Sequence, residues 1–180
     1  MNESKAKRIC LEGSKKGNKI CQAMQFFFGW DKIRIINQSC EMFEETIKED
    51  KVVEQKDIHI SYYFVASFYH FGSAEFEKNI NKAIEYYNIA KNFNNSMAMY
   101  SLAIIYQNGN GDVKKDIHKA IDLYNRAIQL GNSMAMFNLA LVYQFGRPGI
   151  EKNIDIAKEL YQKCANYGNE VAKRKLEQIK

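Results

Sequence analysis

Ser96-Met-Ala-Met-Tyr-Ser-Leu-Ala-Ile-Ile-Tyr-Gln107 returns 37 residues later as Ser133-Met-Ala-Met-Phe-Asn-Leu-Ala-Leu-Val-Tyr-Gln144. The same register, counted back 37 residues, falls on His59-Ile-Ser-Tyr-Tyr-Phe-Val-Ala-Ser-Phe-Tyr-His70, which keeps the pattern of large and small side chains. Counted forward, it falls on Glu170, and that copy runs to Lys180. An ungapped period of this length is the mark of a repeat architecture.

Each unit reads as two helices. Ala98, Leu102, Ala103 and Tyr106 share one face at helical spacing. Gly109, with Gly72 and Gly146 in the other units, ends that helix, as glycine does past a helix C-terminus. Asp116, with Asn79 and Asn153, opens the second helix as an N-cap. Ala120, Leu123, Tyr124 and Ala127 form its inward face, and Gly131-Asn132 or Gly168-Asn169 closes it. Ala83, Ala120 and Ala157 allow close approach of helices, and Tyr87, Tyr124 and Tyr161 fill the space beside them. One such pair cannot bury both of its faces, so pairs must stack. The expected fold is an all-α solenoid: repeats at 59–95, 96–132 and 133–169, a C-terminal capping helix at 170–180, and a degenerate N-terminal repeat with capping helices at 1–58, all in one continuous domain. In the last copy Ala172 and Leu176 keep the inward face while Lys173, Arg174 and Lys175 surround it, as a solenoid end requires.

At these residues the chain resembles the Sel-one-like repeat family, relatives of the tetratricopeptide repeats. The match runs through Ala98, Tyr100, Leu102, Tyr106, Gly109, Gly111, Val113, Asp116, Lys119, Ala120, Tyr124, Ala127, Gly131 and Asn132, with Asp112 extra in the loop. Ala66, Ala103 and Ala140 stand where the family has glycine after the leucine. The resemblance implies a right-handed superhelix with a concave inner face, and adaptor or scaffold roles without catalysis; fold alone does not fix function. Some secreted members pair cysteines across each helix pair. This sequence lacks those pairs, so neither a secreted location nor their penicillin-binding activity is carried over.

Composition agrees with a soluble globular domain: 46% hydrophobic, 26% charged, one proline and ten glycines in 180 residues. No apolar run is long enough to span a membrane, and no apolar stretch of signal-peptide length follows the N-terminus, so a cytoplasmic protein without membrane insertion is expected. The net charge of +5 resides at the ends: residues 1–20 carry +4, residues 171–180 carry +3, and the body carries −2. That distribution argues against nucleic-acid binding, which concentrates charge along one face. Cys10, Cys21, Cys40 and Cys164 show no metal or disulfide spacing and read as reduced thiols, with Cys164 in the core. His59, His70 and His118 have no acidic or cysteine partner at metal or triad spacing, so no enzyme, metal or cofactor is expected.

Tetratricopeptide geometry turns a second set of residues toward the concave face. They are Ile60, Tyr63, Ser67, His70 and Phe71; then Met97, Tyr100, Ile104, Gln107 and Asn108; then Met134, Phe137, Leu141, Gln144 and Phe145. Such a surface would be rich in methionine and aromatics, with a few amides. Methionine suits adaptable binding surfaces, and a contiguous apolar patch marks an interface. Three uses fit this stripe: burial within the chain or against another copy, a groove for a protein or peptide partner, or a small-ligand site. His70 reads either as a hydrogen-bonding contact in the groove or as an ordinary surface histidine. The function expected is a non-enzymatic protein–protein adaptor, monomeric or weakly dimeric. An immunity protein that neutralises a toxin encoded beside it, or an effector acting on a host, are the alternatives.

Overall fold

In the computed structural model, residues 58–72, 77–110 and 112–179 are described. The degenerate repeat expected at 1–58 lies outside them but for its last residue. The described residues form seven helices: α1 (Ile58–Phe71), α2 (Ile80–Asn92), α3 (Ser96–Asn108), α4 (Ile117–Gln129), α5 (Ser133–Phe145), α6 (Ile154–Asn166) and α7 (Glu170–Gln178). The chain divides into two compact units, Met1–Phe93 and Asn94–Lys180. The first holds the antiparallel pair α1–α2. In the second, α3 pairs with α4 and α5 with α6, α4 also packs on α5, and α7 packs on α6.

The punctuation of these helices is side-chain chemistry. Asn79, Asp116 and Asn153 sit in extended backbone and accept from the backbone N–H of Lys82, Lys119 and Ile156, as N-caps do. Asn95, Asn132 and Asn169 do the same for Ala98, Ala135 and Ala172. The Gly-Asn pairs that sequence reads as closing one helix therefore also open the next. Asn94 adopts φ 58° where the other repeats have Gly131 and Gly168, a conformation asparagine tolerates better than most residues.

Gly109 and Gly146 end α3 and α5 at φ 68°. A side chain at Gly109 would place its Cβ 3.0 Å from the carbonyl oxygen of Val113, so both backbone conformation and space demand glycine there. Beyond the glycine, Asn110 bridges to Val113 and Arg147 to Ile150, each across a tight turn. The N–H of the next cap then returns to the first helix: Asp116 N to Tyr106 O at 2.8 Å, Asn153 N to Tyr143 O at 2.8 Å, and in the first unit Asn79 N to Tyr69 O at 2.7 Å.

The core follows the alternation read from sequence. Ala83, Ala120 and Ala157 are fully buried, and so are Tyr87, Tyr124 and Tyr161 beside them. In the second unit Met99, Leu102 and Ile105 from α3, and Met136, Leu139 and Val142 from α5, complete the packing. Cys164 is a buried free thiol, and its Sγ donates to Ser133 O at 3.2 Å. In α7, Ala172 is buried, whereas Leu176 is half-buried among the charged residues Lys173, Arg174 and Lys175.

Candidate functional site

The candidate surface lies on the first helix of each pair. In the second unit the rows lie on α3 and α5. Met97, Tyr100, Ile104 and Gln107 on α3 are half-buried and Asn108 is exposed. On α5, Phe137, Leu141 and Gln144 are half-buried, while Met134 is 46% and Phe145 60% exposed. In the first unit Ile60 and Tyr63 are half-buried, Ser67 and His70 are buried, and Phe71 is 74% exposed. Met99 and Met136, two residues on from Met97 and Met134, belong to the core instead.

The polar members of these rows serve a common internal task. In each pair the buried tyrosine of the second helix reaches the residue 17 positions before it on the first. Tyr124 Oη donates to Gln107 Oε1 at 2.9 Å, and Tyr161 Oη donates to Gln144 Oε1 at 2.7 Å. In the first unit His70 takes this place, its Nδ1 3.4 Å from Tyr87 Oη. Ser67 donates to Tyr63 O at 2.9 Å, so in its 3.2 Å contact with Tyr87 the tyrosine is the donor. A buried phenol needs such a partner, since leaving it unpaired costs desolvation without return. The aromatic rows rest on the same tyrosines: the rings of Tyr63, Tyr100 and Phe137 lie 5.9, 6.2 and 5.5 Å from those of Tyr87, Tyr124 and Tyr161.

Burial raises the Tyr124 phenol well above its ordinary value and pushes Tyr161 up to about 12, with Cys164 adding to the latter. Burial likewise raises the Cys164 thiol. These groups are protonated donors over the physiological range.

Two further side chains join the rows of the second unit: Asn138, which the sequence reading passed over, and Asn132, which it read only as closing a helix. Asn138 Nδ2 donates to Tyr100 Oη at 3.2 Å, and Asn132 Nδ2 donates to Ser96 O at 3.2 Å and approaches Met97 Sδ at 3.4 Å. The available signal for Asn138 was an amide in the middle of an otherwise apolar stretch of helix.

Comparison with known proteins adds the decisive observation: the Sel1 repeat family profile matches residues 59–92, 96–132 and 133–169, more than half of the chain. The chain belongs to the Sel1 repeat family. Sel1 repeats are generally non-catalytic scaffolds typically used for protein–protein interaction. Among solved structures, a Sel1 repeat protein from Oxalobacter formigenes is 22% identical at a TM-score of 0.77, over 90% of this chain and 62% of that one. A protective antigen of uropathogenic Escherichia coli with an SLR fold is 21% identical at 0.73, over 96% of this chain and 36% of that one. Helicobacter pylori cysteine rich protein B is 21% identical at 0.54, over 76% and 91%. The chain thus spans about three-fifths and one-third of the lengths of the first two. These likenesses establish the fold, an all-α helical-repeat solenoid. The search of curated proteins gives no match.

Around the Sel1 rows the described residues offer no group of three His, Cys, Asp or Glu side chains placed to hold a metal. No described helix is long and apolar enough to cross a membrane. A cleft of about 520 Å³ between α6 and α7, lined by Lys158, Glu159, Gln162, Lys163 and Leu176, is open to solvent.

His70 departs from both sequence readings, surface residue and groove contact. It is 9% exposed, stacked on Phe71 with ring centroids 4.5 Å apart, and turned toward Tyr87. The physical reason is its register: like the half-buried Gln107 and Gln144 it faces the buried tyrosine of the second helix, and here Phe71 stacks over the ring as well. Burial, then the charge of Lys78, holds its pKa below the ordinary histidine value. The unfolded chain therefore takes up the proton first as pH falls, and the stability this neutral imidazole contributes is full above about 6.5 and lost below it. Urea melts of the first unit's helices should show stability falling from pH 7 toward 5. His70→Gln, which installs the residue used by the other repeats, should remove that part of the decline. An unchanged slope in the variant would contradict the buried, neutral assignment.

Proposed function

We propose that this Sel1 repeat protein is a non-enzymatic adaptor that binds a protein or peptide partner on the first-helix face of its repeats. The observation that carries the reading is the exposure of large apolar side chains there. In the second unit Met134 and Phe145 on α5 are 46% and 60% exposed, with Met97, Ile104 and Leu141 half-buried on the same pair of helices, and in the first unit Phe71 on α1 is 74% exposed. Grouped exposed apolar side chains mark interaction surfaces more often than they serve the folded monomer. A few buried anchor side chains carry most of the energy in such contacts, and methionine suits surfaces that must adapt to a partner. The second helices present mostly charged and amide side chains outward, Asp122, Asn125 and Arg126 on α4 and Asp155, Glu159 and Lys163 on α6, with Ile156 exposed among them and Phe93, Leu130 and Tyr167 exposed at their C-caps.

The test is a variant that changes only exposed anchors, Met134→Lys with Phe145→Lys. Tyr100 and Phe137 are unsuited, because they pack on the core tyrosines. A partner peptide obtained by display selection on the wild-type chain should bind the double variant at least about tenfold more weakly, the cost of losing one good apolar anchor. Helical circular dichroism should be unchanged. Equal binding by the folded variant would contradict the reading.

A further inference from the structure

The turns that join one repeat to the next in the second unit carry a layered pattern. Along α4 it runs Asp122, Arg126, Leu130, and 37 residues later, along α6, Glu159, Lys163, Tyr167. A spacing of four keeps each series on one side of its helix, with about 6 Å of axial rise per step. Leu130 and Tyr167 are the C-caps, 44% and 62% exposed, and the charged members of both series are exposed too. From the turn inward the order is therefore apolar, cationic, acidic in both repeats. The two turns lie together: a side-chain carbon at Gly131 would sit 3.8 Å from Tyr167 Oη, and Cys164 Sγ donates to Ser133 O at 3.2 Å. The turns lead into Met134 and Val171, 46% and 45% exposed.

Positive charge dominates the layer behind the tips. Arg174, one turn into α7 and exposed, joins Arg126 and Lys163 there. None of these three cations has a carboxylate partner among the described residues. The carboxylate nearest the turns, Glu170, is already paired with Lys173 at 2.6 Å. Asp122, Glu159 and Glu177 stand a further turn back. This order matches the depth profile of an anionic bilayer surface. Aliphatic side chains at the tips gain by leaving water for the acyl boundary. A tyrosine suits that boundary, its ring apolar and its hydroxyl wet. Arginine and lysine lie at headgroup level with their stems along apolar surface, attracted by the negative potential. The acids are held away from it. A nucleic acid would meet the cations but leave Leu130, Met134 and Val171 in water.

We infer that the inter-repeat turns of the second unit dock the protein on an anionic lipid surface. Leu130, Met134, Tyr167 and Val171 enter the interface, and Arg126, Lys163 and Arg174 meet the lipid headgroups. This goes beyond the adaptor reading. Leu130 and Tyr167 lie outside the partner face, so the test uses them.

The experiment is vesicle flotation with the full chain, comparing pure phosphatidylcholine with vesicles holding about 30% phosphatidylserine. Binding should occur only to the anionic vesicles and weaken at least about tenfold between about 50 and 500 mM NaCl, as the surface charge is screened. Arg126→Gln with Lys163→Gln should lower the partition constant about thirtyfold, about fivefold for each cation near the surface. Leu130→Ser with Tyr167→Ser should lower it at least about tenfold with helical circular dichroism unchanged, since both side chains stand in solvent. A second readout keeps the charge and apolar layers otherwise intact. An environment-sensitive fluorescent amino acid is placed singly at Leu130, Tyr167 or Asp122. Anionic vesicles should shift its emission to the blue at Leu130 and Tyr167 and leave it unchanged at Asp122. Absence of vesicle binding, equal binding to both vesicle types, full binding by the folded Leu130→Ser, Tyr167→Ser variant, or an equal blue shift at Asp122 would each overturn the inference. Binding of a fluorescent oligonucleotide without vesicle binding would assign the cations to nucleic acid and overturn it as well.

Discussion

Tyr124→Ala should destabilise the second unit by about 4 kcal/mol, the range for removing a fully buried large aromatic. Tyr124 has no exposed surface, its ring abuts that of Tyr100, and its hydroxyl holds Gln107. The truncation opens a cavity beside Tyr100 and strands the Gln107 oxygen. Tyr124→Phe separates the two contributions. It keeps the ring and removes the hydrogen bond, so its cost should be about 1–2 kcal/mol. Urea denaturation followed by far-UV circular dichroism gives both values. A loss below about 1.5 kcal/mol for the alanine variant would mean that the tyrosine is not the space-filler of the repeat.

Asn132→Ala should cost about 2 kcal/mol, combining a cap of about 1 with an inter-repeat hydrogen bond of similar size. One side chain performs both tasks: Oδ1 accepts from Ala135 N at 3.0 Å, and Nδ2 donates to Ser96 O one repeat earlier. Asn169→Ala removes a cap of the same geometry at α7 and should cost about half as much. Asn132→Asp keeps the acceptor at a helix N-terminus, where a negative charge is favoured, and deletes only the donor. Its loss therefore measures the tie between repeats. Equal losses for Asn132→Ala and Asn169→Ala would show that the tie contributes nothing.

The helices and their stops were legible because they depend on local chemistry repeated in register. Gly109 and Gly146 needed positive φ, Asp116 and Asn153 needed to cap, and each announced itself at a fixed place in the period. Cys164 was likewise readable as a core residue, since it replaces the alanine found at Ala127 in the preceding repeat. The division of labour among polar side chains was not legible. Gln107, Gln144 and His70 occupy one register, and sequence alone gave no sign that each answers a buried tyrosine 17 residues later. That pairing is a tertiary contact, and no local rule of spacing or propensity encodes it. The methionines illustrate the same limit. Met97 and Met99 differ by two positions, which on a helix is enough to send one to the open face and the other into the core. Periodicity placed the helix, and it took tetratricopeptide geometry, not a local rule, to turn Met97 rather than Met99 toward the open face.

The most direct test of the central claim is site-specific photo-crosslinking. Benzoylphenylalanine is placed singly at Leu141 or Met134 on α5, and at Asp122 on α4 or Glu159 on α6, with a display-selected peptide as partner. Crosslinks from Leu141 and Met134, with none from Asp122 and Glu159, are the expected result. Crosslinking from the second-helix positions alone would contradict the assignment of the binding face.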